Sequence, residues 1–190
     1  MKIGILAIQG DFEAHRKVLV LLGADATLVK SASDFADLDG LILAGGESTT
    51  HLKLLTEEGM LAPLSDRTGH GLPVFGTCAG AILLAKEVKN PPQASLGLID
   101  MTVVRNAYGR QLESCVLECV TDLGDQPLEM VFIRAPQIER VGPGVQVLAR
   151  RDGMPVLVRQ ERALAATFHP ELTDDPAIHS YFLKMVANGK

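Results

Sequence analysis

Residues 73–82 read Pro-Val-Phe-Gly-Thr-Cys-Ala-Gly-Ala-Ile, a short apolar run that leads through small residues into a helical pattern. The small residues around Cys78, among them Gly76 and Gly80, suit a sharp turn that would leave the thiol exposed at the head of a sheet. A thiol at a helix N-terminus also meets the positive end of the helix dipole, which favours the reactive thiolate. The stretch therefore predicts a strand, a nucleophile elbow and a helix. The simpler alternative is a buried cysteine in an ordinary strand-to-helix turn.

The remainder of the first half alternates apolar runs with amphipathic stretches. Hydrophobic periodicity predicts strands at 3–8, 26–30, 41–44 and 74–76, and helices at 11–22, 47–58 and 79–86. Strands that alternate with helices pair in parallel, and their sheet is covered on both faces. The first half therefore favours an α/β fold.

Beyond residue 95 the pattern becomes richer in strands, which are separated by turn signals such as Gly142-Pro143-Gly144. We predict strands at 99–104, 114–120, 130–133, 145–150, 155–160 and 164–168, and a closing helix at 176–187. Some of these strands should pair antiparallel. Because the sequence contains no repeat or linker, we interpret residues 1–190 as a single α/β domain, with a mostly parallel sheet flanked by helices and an additional antiparallel β element.

The composition excludes several classes of protein. A formal net charge of −5 and a pI of about 5.5, without a run of Lys and Arg, disfavour a nucleic-acid partner. No segment approaches the roughly 20 apolar residues that span a bilayer, so we expect no membrane association and a cytoplasmic location. The three cysteines lack disulfide spacing, which favours a reducing compartment. Cys115 and Cys119 could form half of a zinc site, but core packing is the favoured interpretation, and we expect no metal.

A cysteine nucleophile needs a base and a group that orients it, and residues 168–171, Phe-His-Pro-Glu, offer both. His169 follows an apolar run and should stand at the end of a strand, where α/β folds place their sites. Glu171 lies two positions on, so its carboxylate could reach the imidazole. The alternative is an ordinary surface loop. Four other histidines have no acid beside them and are interpreted as structural or solvated: His15, His51, His70 and His179.

Acyl transfer also requires N–H donors for the developing oxyanion. Gly45 and Gly46 end a predicted strand, and their backbone can approach a ligand without interference from side chains. We assign the backbone N–H groups of Gly46 and Ala79 as the oxyanion hole. A plain strand-to-helix turn is the alternative. Phosphate binding is disfavoured because neither a Walker motif nor a G-x-G-x-x-G motif is present.

Six segments carry a resemblance that covers nearly the whole chain. They are Ala-Ile-Gln-Gly-Asp (7–11), Ala-Gly-Gly-Glu-Ser-Thr-Thr (44–50), Gly-Thr-Cys-Ala-Gly (76–80), Arg-Asn-Ala-Tyr-Gly-Arg-Gln (105–111), Phe-Ile-Arg-Ala-Pro (132–136) and Phe-His-Pro-Glu-Leu (168–172). Together they resemble the triad-type (class I) glutamine amidotransferases, and within them the glutaminase subunits of pyridoxal 5′-phosphate synthases. The two arginine segments and Gln-Gly-Asp indicate this narrower group. One departure is Cys115, where an aromatic residue is expected.

The resemblance implies a flavodoxin-like amidotransferase fold and a glutaminase without a cofactor. It implies Cys78 as the nucleophile, His169 as general base and then acid, and Glu171 as the partner that orients His169. The residues implied to bind L-glutamine are Gly46, Glu47, Ser48, Arg105, Ile133 and Arg134. Gln9 is implied to lie in a segment that responds to the partner. That partner is implied to be a (β/α)8-barrel subunit that receives ammonia and makes pyridoxal 5′-phosphate.

Three other functions remain open at this point. The chain could be a glutaminase that serves another synthase, such as the one for imidazole glycerol phosphate. It could be a different hydrolase with a cysteine elbow, which would leave Arg105 and Arg134 without a substrate role. It could also be a binding subunit that retains the fold without activity, although a complete set of triad residues argues against this.

Overall fold

The structure, a computed structural model, describes residues 1–107 and 114–189. Its first half consists of β1 (Lys2–Leu6), α1 (Phe12–Leu21), β2 (Asp25–Val29), β3 (Gly40–Leu43), α2 (Ser48–Glu57), α3 (Leu61–Gly69), β4 (Val74–Thr77) and α4 (Ala79–Leu84). Its second half consists of β5 (Ala85–Lys89), β6 (Ile99–Val104), β7 (Cys115–Thr121), β8 (Gly124–Phe132), β9 (Gln137–Val141), β10 (Gln146–Arg151), β11 (Met154–Gln160), β12 (Ala163–Ala166) and α5 (Ala177–Ala187). Two 3-10 turns, Ala32–Phe35 and Pro170–Leu172, complete the described elements.

A nine-stranded sheet forms the centre of the molecule, in the order β2-β1-β3-β4-β12-β11-β10-β7-β8. The five strands from β2 to β12 pair in parallel, and the remaining strands pair antiparallel. A smaller sheet has the order β5-β6-β9. The predicted α/β fold with a parallel sheet and an added antiparallel element is therefore confirmed.

Helices cover both faces of the parallel half, as buried apolar strands require. One core cluster joins Leu55 of α2, Leu64 of α3 and apolar residues of α4 to the small sheet. The other joins Leu19 of α1 and Phe182 of α5 to the opposite face and to the antiparallel strands. Within the described ranges, no helix is long and apolar enough to cross a membrane.

The strand pairing brings two distant parts of the chain together. β12 is inserted beside β4 in parallel, with Ala166 opposite Thr77. The carboxyl ends of these two strands therefore meet, and the residues that follow them, Cys78 and His169, lie at the same edge of the sheet. Sites in open α/β sheets are found at this edge.

Several element predictions differ from the structure. The helix predicted at 79–86 ends at Leu84, because Ala85 is extended and β5 pairs with β6. Helix α3 was not predicted from its short pattern, in which Leu64 and Thr68 are the buried residues. Strand β9 was also missed, since Ile138 is its one buried residue and three of the other four residues are polar. Tertiary pairing outweighs local propensity in such short elements.

The interpretation of Cys115 and Cys119 as core residues agrees with the packing of β7. Cys119 is buried in the core cluster that also contains Phe132, and Cys115 and Leu117 pack against it. All three side chains lie on one face of the strand, as the period of two requires. Among the described residues, no group of three metal-ligating side chains is close enough to hold an ion.

Candidate active site

Cys78 occupies a strained turn between β4 and α4. Its backbone has φ 47° and ψ −101°, a combination that L-residues rarely adopt. The Cys78 N–H donates to the carbonyl of Ala166 at 2.8 Å, which ties the turn to β12. At Gly80 a side chain would overlap the carbonyl oxygen of Leu43, so only glycine allows α4 to start this close to β3. The local geometry is that of the predicted nucleophile elbow.

His169 and Glu171 form a hydrogen-bonded pair directly after β12. The Nδ1 atom of His169 lies 2.8 Å from Oε1 of Glu171, whose side chain is fully buried. The His169 backbone N–H donates to the carbonyl of Val131 at 2.8 Å. Pro170 begins the 3-10 turn that carries Glu171. The turn places the carboxylate behind the imidazole and leaves the other ring nitrogen free for the thiol.

The electrostatics of His169 favour its charged form. Burial acts to lower the pKa of His169, but hydrogen bonds to Cys78 and Glu171, together with their charges, outweigh it and raise the pKa to about 10. A pKa this high means that His169 holds a proton at neutral pH. An imidazolium favours a thiolate form of a neighbouring cysteine, which is the reactive form of that residue.

A cavity of about 270 Å³ opens in front of Cys78. All six residues implied to bind glutamine line it, together with Gln9, Cys78 and His169: Gly46, Glu47, Ser48, Arg105, Ile133 and Arg134. Glu171 lies behind His169, and Ala79 is buried at the start of α4. The structure thus brings residues from all six of the quoted segments into one place.

Charged groups stand on one wall of the cavity. Glu47 caps α2 by accepting from the backbone N–H groups of Thr49 and Thr50 at 3.2 and 2.7 Å. Partial burial acts to raise the pKa of Glu47, but hydrogen bonds from these threonines lower it to about 2. Arg105 donates from Nη2 to Oε1 of Glu47 at 2.8 Å, while its Nη1 has no partner among the described residues. The wall therefore offers both an anion and a cation to a zwitterionic ligand.

Gln9 lies over the glycine turn that follows β3. Its Oε1 atom accepts from the backbone N–H of Glu47 at 3.1 Å. Gly46 has φ 146°, and a Cβ at this position would come 2.5 Å from Nε2 of Gln9. The side chain of Gln9 therefore lies against the backbone of the segment that was predicted to supply an oxyanion donor.

Some lining residues were not identified from the sequence. Ile82, Asn106 and Pro136 also face the cavity. Asn106 lies in the segment 105–111 and Pro136 in the segment 132–136, so each is close to a residue that was predicted to bind glutamine. Ile82 carried no signal, because an apolar residue in a helix is usually part of the core. The end of the arginine segment, residues 108–111, lies outside the described residues.

Comparison with known proteins agrees with this geometry. The profile of the SNO glutamine amidotransferase family matches residues 5–188. The chain belongs to that family. It is similar to "Pyridoxal 5'-phosphate synthase subunit PdxT" of Koribacter versatilis, with 57% identity over 100% of this chain and 97% of the relative. The protein of the same name from Thermotoga maritima is 51% identical over 98% of this chain and 100% of its own length. A crystal structure of a glutamine amidotransferase superposes with a TM-score of 0.92 at 48% identity, covering 97% of this chain and 98% of the other.

In this SNO family member, three of the remaining histidines are buried. His51 donates from Nε2 to the carbonyl oxygen of Gln9, 3.1 Å away. His15 and His179 contact each other, and His15 also lies 3.4 Å from Oε2 of Glu171. Only His70 is solvated. Glu171 is far from His15 in the sequence, so their proximity could not be predicted from spacing and results from packing between α1 and the Pro170–Leu172 turn.

Burial of His179 predicts a dependence of stability on pH. Desolvation lowers the pKa of His179 to about 4, whereas an unfolded histidine titrates near 6.5. Between these values the unfolded chain binds a proton that the folded chain does not, so the free energy of unfolding falls as the pH falls. We expect a loss of about 2 to 3 kcal/mol between pH about 6.5 and 4.5 from this group.

Urea unfolding at the two pH values measures this effect. His179→Gln should reduce the pH-dependent loss by about 2 kcal/mol, whatever its effect on stability at pH 6.5. The loss that remains includes the contribution of His15, whose pKa burial also lowers. The exposed His70 offers a matched control. His70→Gln should leave the pH-dependent loss of unfolding free energy unchanged. An equal loss in wild type and His179→Gln would contradict the prediction.

Proposed function

We propose that this glutamine amidotransferase is the glutaminase subunit of a pyridoxal 5′-phosphate synthase, with residues 1–190 acting as one glutaminase domain. It hydrolyses L-glutamine to L-glutamate and ammonia and delivers the ammonia to a synthase subunit. The observation that carries the proposal is the placement of Cys78 and the His169–Glu171 pair at one cavity whose wall presents Arg105 and Glu47. Full-length similarity to proteins named as subunits of this synthase supports the assignment to pyridoxal 5′-phosphate synthesis.

The reaction begins with the thiolate of Cys78, which attacks the side-chain amide carbon of glutamine. The carbonyl π electrons move to oxygen and form a tetrahedral intermediate. His169 gives its proton to the amide nitrogen, the C–N bond breaks, and ammonia leaves a glutamyl thioester. Neutral His169 then takes a proton from water, and the hydroxide attacks the thioester carbon. The C–S bond breaks, glutamate is released, and the thiolate–imidazolium pair returns.

Glutamine recognition follows from the charges of the cavity. Arg105 and Arg134 suit the α-carboxylate, since guanidinium groups form strong paired hydrogen bonds with carboxylates. Glu47 suits the α-ammonium group. Gly46, Ser48 and Ile133 complete the contacts to the substrate. The 270 Å³ of the cavity accommodates a molecule of this size.

The oxyanion requires two N–H donors, which we assign to the backbones of Gly46 and Ala79. Ala79 is the first residue of α4 and directly follows the nucleophile. Gln9 lies beside Gly46 and accepts from the N–H of Glu47. We therefore place Gln9 in an activation segment, through which a bound partner could adjust the glycine turn.

The partner that we propose is a (β/α)8-barrel synthase subunit. Ammonia in neutral water is mostly converted to ammonium and loses its nucleophilicity, so direct transfer between the subunits preserves it. A free thiol as the nucleophile requires a reducing compartment, which supports a cytoplasmic location. No cofactor enters the glutaminase reaction.

The test is glutamate release from glutamine by the purified chain, alone and with the candidate synthase subunit. We expect release to increase strongly when that subunit is present. The barrel subunit of imidazole glycerol phosphate synthase serves as the control partner and should not stimulate. Stimulation by the control instead would assign the chain to another synthase. An absence of glutamate in every mixture would refute the glutaminase function and leave another hydrolase or a non-catalytic subunit.

A further inference from the structure

The second oxygen of the triad carboxylate lies in an unusual environment. Oε1 of Glu171 contacts His169, but Oε2 is fully buried and has no hydrogen-bond partner within the described part of the chain. The Nε2 atom of His15 lies 3.4 Å from it. A buried carboxylate oxygen without a donor is costly, because it has lost its water. The neighbouring histidine is therefore the group that can satisfy it.

His15 belongs to a chain of contacts that runs away from the active site. Its Nε2 atom also lies 3.1 Å from Oγ1 of Thr77, at the end of β4. Its Nδ1 atom lies 2.9 Å from Nε2 of His179, in α5. The three side chains are fully buried. The ring of Phe75 stands edge-on to both imidazoles and closes this region with apolar surface.

Both imidazoles are neutral at pH 7. Burial lowers the pKa of His15 well below its usual range, and the charges of His179 and His169 act in the same direction. Burial alone lowers the pKa of His179 to about 4. Each ring therefore has one N–H and one acceptor nitrogen, and the choice of tautomer decides what Glu171 meets.

Only one arrangement of the two protons serves the carboxylate. An ionised carboxylate only accepts, so the proton of His15 must be on Nε2 to face Glu171. This N–H is then shared between Oε2 of Glu171 at 3.4 Å and the hydroxyl oxygen of Thr77 at 3.1 Å. Nδ1 of His15 is then an acceptor, and His179 must donate its Nε2–H. This leaves Nδ1 of His179 unprotonated, in agreement with its having no hydrogen-bond partner among the described residues. The opposite arrangement would set the lone pair of His15 against an anionic oxygen.

We propose that His15, held in its Nε2–H tautomer by His179, is a positioning residue that donates to Oε2 of Glu171. The carboxylate is thereby fixed from both sides, by His169 on one oxygen and by His15 on the other. A fixed carboxylate holds the imidazole of His169 at the angle required for proton transfer between Cys78 and the substrate. The inference rests on the glutaminase function proposed above.

Two variants separate this role from simple packing. His15→Met fills a similar volume without a donor, whereas His15→Gln keeps an amide N–H near the position of Nε2. In the complex with the synthase subunit, we expect His15→Met to lower kcat for glutaminase by about 10- to 100-fold with little change in KM, since partners that orient a functional histidine typically contribute this much. His15→Gln should recover most of the loss.

A matched control comes from the same aromatic cluster. Phe182 packs on Phe75 with ring centroids 5.7 Å apart. Phe182→Leu should destabilise the same region and leave kcat unchanged, with folding of all variants checked by circular dichroism. An unchanged kcat in folded His15→Met, or an equal loss in His15→Gln and Phe182→Leu, would overturn the proposal.

A spectroscopic measurement tests the tautomers without reference to activity. Long-range ¹H–¹⁵N correlation spectra of the free protein at pH 7, assigned with His15→Gln and His179→Gln, report which ring nitrogen carries the proton. We expect neutral rings with Nε2–H in both residues. A proton on Nδ1 of His15 would refute the inference even if the wild-type enzyme is an active glutaminase. Absence of glutaminase activity in wild type would instead refute the proposed function and leave the tautomer result intact.

Discussion

Replacement of Cys78 by alanine is expected to lower kcat for glutamate release by about 10⁴-fold or more, because no covalent intermediate can form. Loss of a triad nucleophile removes most of the catalysis that the whole triad provides. The cavity and the charged wall should remain, since Cys78 contributes only a small side chain to them. The measurement is glutamate release by the complex at saturating glutamine.

Two controls separate this chemistry from folding and assembly. Cys115→Ala removes a part-buried thiol of β7 that does not line the cavity, and it should keep full activity. The Cys78→Ala complex should still make pyridoxal 5′-phosphate when an ammonium salt is supplied, because the synthase subunit then bypasses the glutaminase. Substantial glutamate release by Cys78→Ala would contradict the assignment of the nucleophile.

The second large effect is expected from His169→Gln, with kcat lowered by about 10³-fold. Proton transfer by a positioned side chain typically contributes about 10²- to 10⁴-fold. His169 has a further role, because its raised pKa of about 10 keeps a positive charge beside the thiol at neutral pH. Without that charge the thiolate is less favoured. The rate of Cys78 alkylation by iodoacetamide at pH 7 should therefore fall at least about tenfold.

The alkylation rate distinguishes this electrostatic role from a loss of substrate binding. His70→Gln removes an exposed histidine and should leave both kcat and the alkylation rate unchanged. The pKa of His169 implies that the imidazolium should keep its charge until the pH approaches about 10. Equal alkylation rates in wild type and His169→Gln would show that the imidazolium does not activate the thiol.

Short-range features of the site were accessible from the sequence. Small residues next to Cys78 are required by a turn with φ 47°, so the elbow could be recognised from its composition. Glu171 lies two residues after His169, with Pro170 between them, and this spacing is enough for the observed 2.8 Å contact between the two side chains. In both cases the geometry depends on a few neighbouring residues, and local sterics decide it.

The small sheet and the contact between His15 and His179 could not be predicted from neighbouring residues in the sequence. Strand β9 reads as polar and exists because it pairs with β6. His15 and His179 lie far apart in the sequence and meet only after α1 and α5 have packed on the same face. Nothing in the residues next to either histidine indicates the other.

The amino-acid sequence determined the alternation of strands and helices, the elbow at Cys78 and the pairing of His169 with Glu171, because backbone sterics and hydrophobic periodicity act over a few residues. The order of the strands was decided by tertiary structure. Insertion of β12 beside β4 brings His169 to Cys78, and packing of α1 against the Pro170–Leu172 turn brings His15 to Glu171. These contacts depend on burial and pairing across the whole chain, so they form only when the sheet and its covering helices are assembled.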